Sequence, residues 1–210
     1  MTKEDFLFLL GDEPETDSAF VDSFLYKEGS DYGRLIANWV FDDENPGALH
    51  DTINNWQATA TGVINFSSAG ACIDARNKAI TFPSEINLSE MNILIRIGEI
   101  TPGTLGNANY FFIFNGSLGI CYQNGLGYWA FWNGTSWVNM GIENDPKYFE
   151  NSILRIEVTN GTHWNVYKND VLIANTTMNQ APSWQMYKLG DSSNGFATMY
   201  IKGVQFYEVV

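Results

Sequence analysis

Long apolar runs are missing from this 210-residue sequence. The apolar stretch nearest the start, residues 6–10, is five residues long and is preceded by Glu4 and Asp5. That is too short, and too acidic on its flank, for a signal-peptide core. No segment approaches the roughly 20 apolar residues of a membrane-spanning helix. The expectation is a chain made in the cytoplasm without a leader and not inserted in a membrane. Basic residues are also scarce: 11 Lys and Arg stand against 24 Asp and Glu, for a net charge of −13. A nucleic-acid binder needs a basic face to neutralise phosphates, so nucleic acid is excluded as a partner. There are two cysteines, Cys72 and Cys121, and they form no CxxC pair. They read as two buried thiols, with a disulfide left open. The two histidines, His50 and His163, have no Cys or His at zinc-ligand spacing. A Gly-x-Ser-x-Gly nucleophile elbow is missing as well.

What the chain does have is aromatic bulk, with 14 Phe, 10 Tyr and 7 Trp. A chain of this length buries roughly 70% of its unfolded surface, so its core needs no staple. The charge is uneven. Residues 1–51 hold 13 acidic and 3 basic side chains. Residues 1–33 read as an acidic arm of two short helices. Thr2 and Asp5 form a capping-box spacing ahead of residues 6–10, and Phe20, Val21, Phe24 and Leu25 recur at helical spacing. Helices this short need a surface to pack on. From Leu35 the period changes to two. Residues 35–41, 91–97 and 153–158 alternate as strands with one buried face. Five Asn-Gly pairs, at Asn115, Asn124, Asn133, Asn160 and Asn194, supply the positive φ angles of tight hairpins between short aromatic or β-branched runs. Many short strands with such turns indicate an all-β sandwich or barrel over residues 34–210.

The stretch LRIEVTNGTHWNVYKNDVLI, residues 154–173, resembles the central hairpin of concanavalin A-like and laminin G-like domains. Asp170 stands where those families usually place glycine, which leaves the turn type open. Trp39-Val40-Phe41-Asp42 resembles their opening strand. Leu189-Gly190 and residues 197–207, with Gly203, resemble the closing strand that pairs beside the first. The resemblance spans about residues 35–210 and implies an antiparallel two-sheet jelly-roll sandwich. Members of these families occur among lectins, adhesins, phage fibres, virion decoration proteins, carbohydrate-binding modules and glucanases, and fold alone does not choose among them.

Glucanases of this fold carry two Glu flanking an Asp on one strand. Glu143 and Asp145 have that spacing, but Glu150 lies too far along and Pro146 argues against a central strand. A polar loop is the preferred reading, and no catalytic residue is assigned. The binding candidates are aromatic. In the hairpin spanning residues 128–137, alternation places Tyr128 and Trp132 on one face and Trp129 and Phe131 on the other. Trp132 and Trp137 flank the turn and are read as the wet rings. Flat rings suit the apolar faces of sugars, and Asn133 beside them offers hydrogen bonds to hydroxyls. The competing reading is that most of these rings fill the core. Trp56, after Asn54 and Asn55, is a second glycan-binding candidate. Asp42, Asp43 and Glu44 cluster oxygens as a calcium site would, although a solvated acidic loop is preferred. No other cofactor is expected.

The expected function is a non-enzymatic virion structural protein, a capsid decoration, head fibre or tail adhesin. Its arm would dock to other virion proteins or oligomerise, and its multicopy sandwich would grip a glycan or cell-surface polysaccharide. The alternative is a secreted or surface carbohydrate-binding module of a cell, placed outside it. A glucanase ranks behind both.

Overall fold

The computed structural model describes residues 32–41, 49–74, 77–86, 89–102, 109–114, 118–123, 125–178, 187–190 and 198–209, with backbone alone at 109–114 and 118. Among these residues the regular structure is all strand. In chain order the strands are β1 (Arg34–Val40), β2 (Thr59–Thr61), β3 (Asn65–Ser67), β4 (Gly70–Ile73), β5 (Ala79–Thr81), β6 (Met91–Thr101), β7 (Asn109–Phe114) and β8 (Leu118–Gln123). They continue with β9 (Tyr128–Asn133), β10 (Trp137–Glu143), β11 (Ser152–Thr159), β12 (His163–Lys168), β13 (Val171–Thr177), β14 (Lys188–Gly190) and β15 (Thr198–Glu208). The sandwich unit begins at Tyr32. The helical arm expected over residues 1–33 lies outside the described residues except for Tyr32 and Gly33, and Asp42, Asp43 and Glu44 lie outside them as well.

Alternation explains the layering. Along β11, Ser152, Leu154, Ile156 and Val158 are buried while the residues between them are half-exposed. That pattern puts one face of the strand into a core and the other toward water. One sheet runs β13-β12-β11-β6-β15-β4-β3, with β1 also on β15. The other runs β10-β9-β8-β7-β14-β5-β2. Every pairing is antiparallel, the arrangement expected of a jelly-roll sandwich. β15 bonds β6 on one side, and its other edge is divided. Met199, Tyr200 and Ile201 pair with β4, and residues 203–208 pair with β1. The closing strand therefore lies beside the opening one, as the resemblance implied.

The core sits between the sheets and is aromatic at its centre. Phe82 meets Trp39 edge-on at 4.9 Å between ring centroids and Phe206 at 5.2 Å, while Tyr187 packs on Phe206 at 5.6 Å. Each such pair adds about 0.5–1.5 kcal/mol beyond area burial. A second group places Trp129 between Tyr122 and Phe149. The buried indole N–H groups of Trp39 and Trp129 donate to the carbonyls of Leu49 (3.0 Å) and Asp145 (2.8 Å). Two turns set the register of β11, β12 and β13. Asn160 and Gly161 have φ of 50° and 67°, and Asn169 and Asp170 have 47° and 64°. Two successive positive φ values make a type I′ turn, which matches the twist of the flanking strands. Asp170 thus takes the left-handed conformation that glycine would have supplied.

Candidate functional site

The β9–β10 hairpin divides its aromatic residues between the two faces of its sheet. Trp129 and Phe131 are fully buried in the core, and Tyr128 and Trp132 point the other way, half-buried. The turn explains why Trp132 faces Trp137. Oδ1 of Asn133 accepts hydrogen bonds from the backbone N–H of Thr135 (3.0 Å) and Ser136 (2.8 Å), and Gly134 takes a φ of 94°. An Asx turn of this kind closes the loop tightly. Trp132 and Trp137 then fall directly opposite each other in the ladder, with ring centroids 4.9 Å apart at 50°. The Asn133 acceptor is thus used by its own turn, and its side-chain NH2 is the group it can offer outward.

Register builds the rest of the face in three rows. Trp137 and Trp132 share a row with Gly119, Asn139 and Ala130 with Cys121, and Glu143 and Tyr128 with Gln123. Ala130 and Cys121 are fully buried beneath their larger neighbours. The rows at the two ends carry the rings. Polar groups lie among them: the Asn139 side chain donates to Glu143 Oε1 (3.3 Å) and accepts from the Gly141 N–H (2.7 Å), and Gln123 Nε2 donates to Cys121 Sγ (3.6 Å). Among the described residues the Tyr128 hydroxyl and the Trp132 indole N–H have no protein partner. The face therefore combines flat apolar rings with hydroxyl, amide and carboxylate groups, the pairing that suits a polyol ring. Sequence reasoning named Tyr128, Trp132 and Trp137 as candidates, did not consider Asn139 or Gln123, and considered Glu143 only as part of a catalytic carboxylate set. The bulge around Gly141, whose φ is 77°, brings Glu143 opposite Tyr128, and no spacing in the sequence signals it.

Trp56 stands elsewhere. Its segment is gathered by the buried Asp51 carboxylate, which accepts from the backbone N–H of Asn38 (2.6 Å), Ile53 (3.0 Å) and Asn54 (2.5 Å). The Asn54 side chain donates to the Ile36 carbonyl (2.6 Å), so the loop is tied to β1. This leaves Trp56 half-buried on the wall of a groove of about 360 Å3, which Arg34, Glu85 and Glu208 also line. Trp56 precedes β2, at the edge of the sheet opposite β9 and β10. Six strand spacings, about 29 Å, separate the two edges. The structure brings Tyr128, Trp132, Trp137 and Asn133 together and does not bring Trp56 to them.

The carboxylates do not form a set on one strand. Glu143 ends β10, Asp145 lies in the following loop, and the Glu150 carboxylate accepts from the Ile100 N–H and Lys147 Nζ, both at 2.9 Å. The Ile100 backbone bond and then the Lys147 bond hold the Glu150 carboxyl below its ordinary value, the reverse of what a general acid needs. Cys72 and Cys121 are free and buried.

No family model and no curated protein sequence matches the chain. Solved structures do match. Domain 4 of an extracellular GH43 arabinanase from Geobacillus stearothermophilus, solved with arabinotriose, aligns at a TM-score of 0.61 and 17% identity, covering 85% of this chain and 94% of that one. The binding domain of botulinum neurotoxin serotype D aligns at 0.56 and 10%, over 84% of this chain and 48% of its own. A Trypanosoma rangeli sialidase solved with sialic acid aligns at 0.56 and 12%, over 83% and 31%. The chain thus spans about half of the toxin domain and about a third of the sialidase. At these identities the likeness establishes the fold alone, an antiparallel β-sandwich shared with these three structures.

Proposed function

We propose that this protein is a non-enzymatic glycan-binding sandwich whose ligand lies on the Trp132–Trp137 face. The paired, half-buried rings on an outward sheet face carry the reading, because their remaining apolar surface gains from a partner that covers it. Tyr128 closes the other end of the face, and Asn139, Glu143 and the Asn133 amide supply hydroxyl partners. The protein would act as a virion component, a decoration, head fibre or tail adhesin. The acidic segment of residues 1–33 would dock it to other virion proteins in many copies, and avidity would make up for weak single sites. The sandwich and the strong acidic bias of the first 51 residues support that setting. A second reading, a surface or secreted carbohydrate-binding module, draws on the arabinanase domain, nearly all of which this chain covers. The test is a glycan array probed with the full chain, a chain beginning at Tyr32, and Trp132→Ala. The expected result is a set of glycans bound by the first two and lost in the third. Binding that is unchanged in Trp132→Ala would remove the ligand from this face. Release of reducing sugar from β-glucan, abolished by Glu143→Ala, would replace the whole reading with a hydrolase.

A further inference from the structure

We infer that the groove beside Trp56 is a second, independent saccharide site, selective for neutral sugars. This rests on the glycan-binding reading above but not on the face that carries it. The groove's volume of about 360 Å3 falls in the range of small-ligand sites. Its chemistry is built for a polyol. Trp56 and Ile53 form an apolar wall, and Ile53 is 49% exposed although it is a large aliphatic side chain. Among the described residues the Trp56 indole N–H has no acceptor. Opposite them stand a guanidinium and two carboxylates, so donors and acceptors lie side by side as vicinal hydroxyls require.

The charges set the ligand class. Arg34 Nε donates to Glu208 Oε2 at 3.1 Å, and a second guanidinium nitrogen reaches the same oxygen, so the groove's one cation among the described residues is already neutralised. Glu85 adds a negative charge that has no cationic partner among the described residues. A uronate or a sialic acid would meet repulsion there, whereas a neutral ring accepts from Arg34 and donates to Glu85 and Glu208. The site is also pre-ordered. Three backbone N–H bonds to Asp51 and the Asn54 bond to Ile36 fix the loop, so little ordering entropy is lost on binding. Because the groove is lined by β1, β15 and the loop at 53–56, while the Trp132–Trp137 face lies on β9 and β10 of the other sheet, a single molecule would hold two separate points of attachment on a polysaccharide.

An array of immobilised neutral and anionic glycans separates the possibilities, probed with the full chain as wild type, Trp132→Ala, Trp56→Ala and Arg34→Ala. A set of neutral glycans is expected to stay bound by Trp132→Ala and to weaken roughly tenfold in both Trp56→Ala and Arg34→Ala. The Arg34 side chain is 70% exposed, so its removal leaves the fold intact and keeps the test decisive if Trp56→Ala does not fold. Loss of every glycan in Trp132→Ala, with Arg34→Ala binding like wild type, overturns the second site and leaves the first. Groove-dependent binding confined to anionic glycans overturns the ligand class. A wild type that binds nothing overturns both sites together.

Discussion

The Arg155 guanidinium lies 3.5 Å from the centroid of the Tyr167 ring, its cross-strand partner on β12. Tyr32 covers the other side at 5.1 Å. The same side chain donates to Asn92 Oδ1 (3.1 Å) and stands 3.3 Å from Asp170 Oδ1, while the Tyr32 hydroxyl donates to that Asp170 oxygen (2.5 Å). A stacked, planar role of this kind suits arginine and not lysine. Arg155→Ala should destabilise the sandwich by about 2–4 kcal/mol and Arg155→Lys by about 1–2 kcal/mol, read as shifts of the urea midpoint. Equal midpoints for wild type and Arg155→Lys would deny the stack its role.

Glu157 sits beside that stack and predicts the acid limb of stability. Burial pushes its carboxyl up, but bonds from Asn165 (2.9 Å) and the Tyr167 hydroxyl (2.7 Å), with the Arg155 charge, outweigh burial and hold it below its ordinary value of about 4.5. A lowered folded-state value contributes stability above the ordinary one, and that stability is lost as pH falls through the lowered one. The melting temperature should therefore drop between about pH 5 and pH 3, and Glu157→Gln should flatten that slope. A Glu157→Gln profile parallel to wild type would assign the limb to other carboxyls.

Two glycines with positive φ should respond differently to alanine. At Gly70, φ is 112° and a Cβ would lie 2.5 Å from the Ile201 carbonyl oxygen, across the β4–β15 ladder. At Gly141, φ is 77° and a Cβ would meet nothing within 4 Å. Gly70→Ala should cost about 3 kcal/mol, strain and clash together, and Gly141→Ala about 1 kcal/mol, strain alone. Equilibrium denaturation of both variants checks the ranking, and a reversed order would refute it.

Burial pushes the Cys121 thiol well above its ordinary value, against a smaller opposing effect from Gln123. Since the thiolate is the reactive form, native protein should resist Ellman's reagent at Cys121. Both thiols should titrate once the chain is unfolded without reductant, because neither is in a disulfide. Fewer than two reactive thiols under those conditions would show an oxidised pair.

Alternation made strands legible: β11, with one wet face, and the β9–β10 hairpin read directly from the sequence, and β6 did too because Asn92 and Arg96 interrupt its apolar residues, although residues 91–95 are buried on both faces. β4 did not, since all four of its residues are buried and leave no period to find. β2, β3 and β5 are three residues each, too short to show one. The ring faces followed from alternation, so the outward Trp132 was readable and its pairing with Trp137 followed from the turn. Glu143 opposite Tyr128 was not readable, because a bulge carries it there. The Trp56 groove was half readable. Trp56 itself was visible as an aromatic in a polar turn, but Glu208 reaches it from the far end of the chain, across a ladder that only the folded topology provides.

That ladder has a mechanical consequence. Arg34 pairs with Glu208, so the first strand enters where the last one leaves. Tension applied between these two points opens the β1–β15 bonds one after another, like a zipper, and meets little resistance at any instant. Tension between Arg34 and the Trp132–Trp137 face runs instead across both sheets and their packed core, and loads many bonds at once. A molecule held at Arg34 and pulled at that face would be loaded along its strong direction.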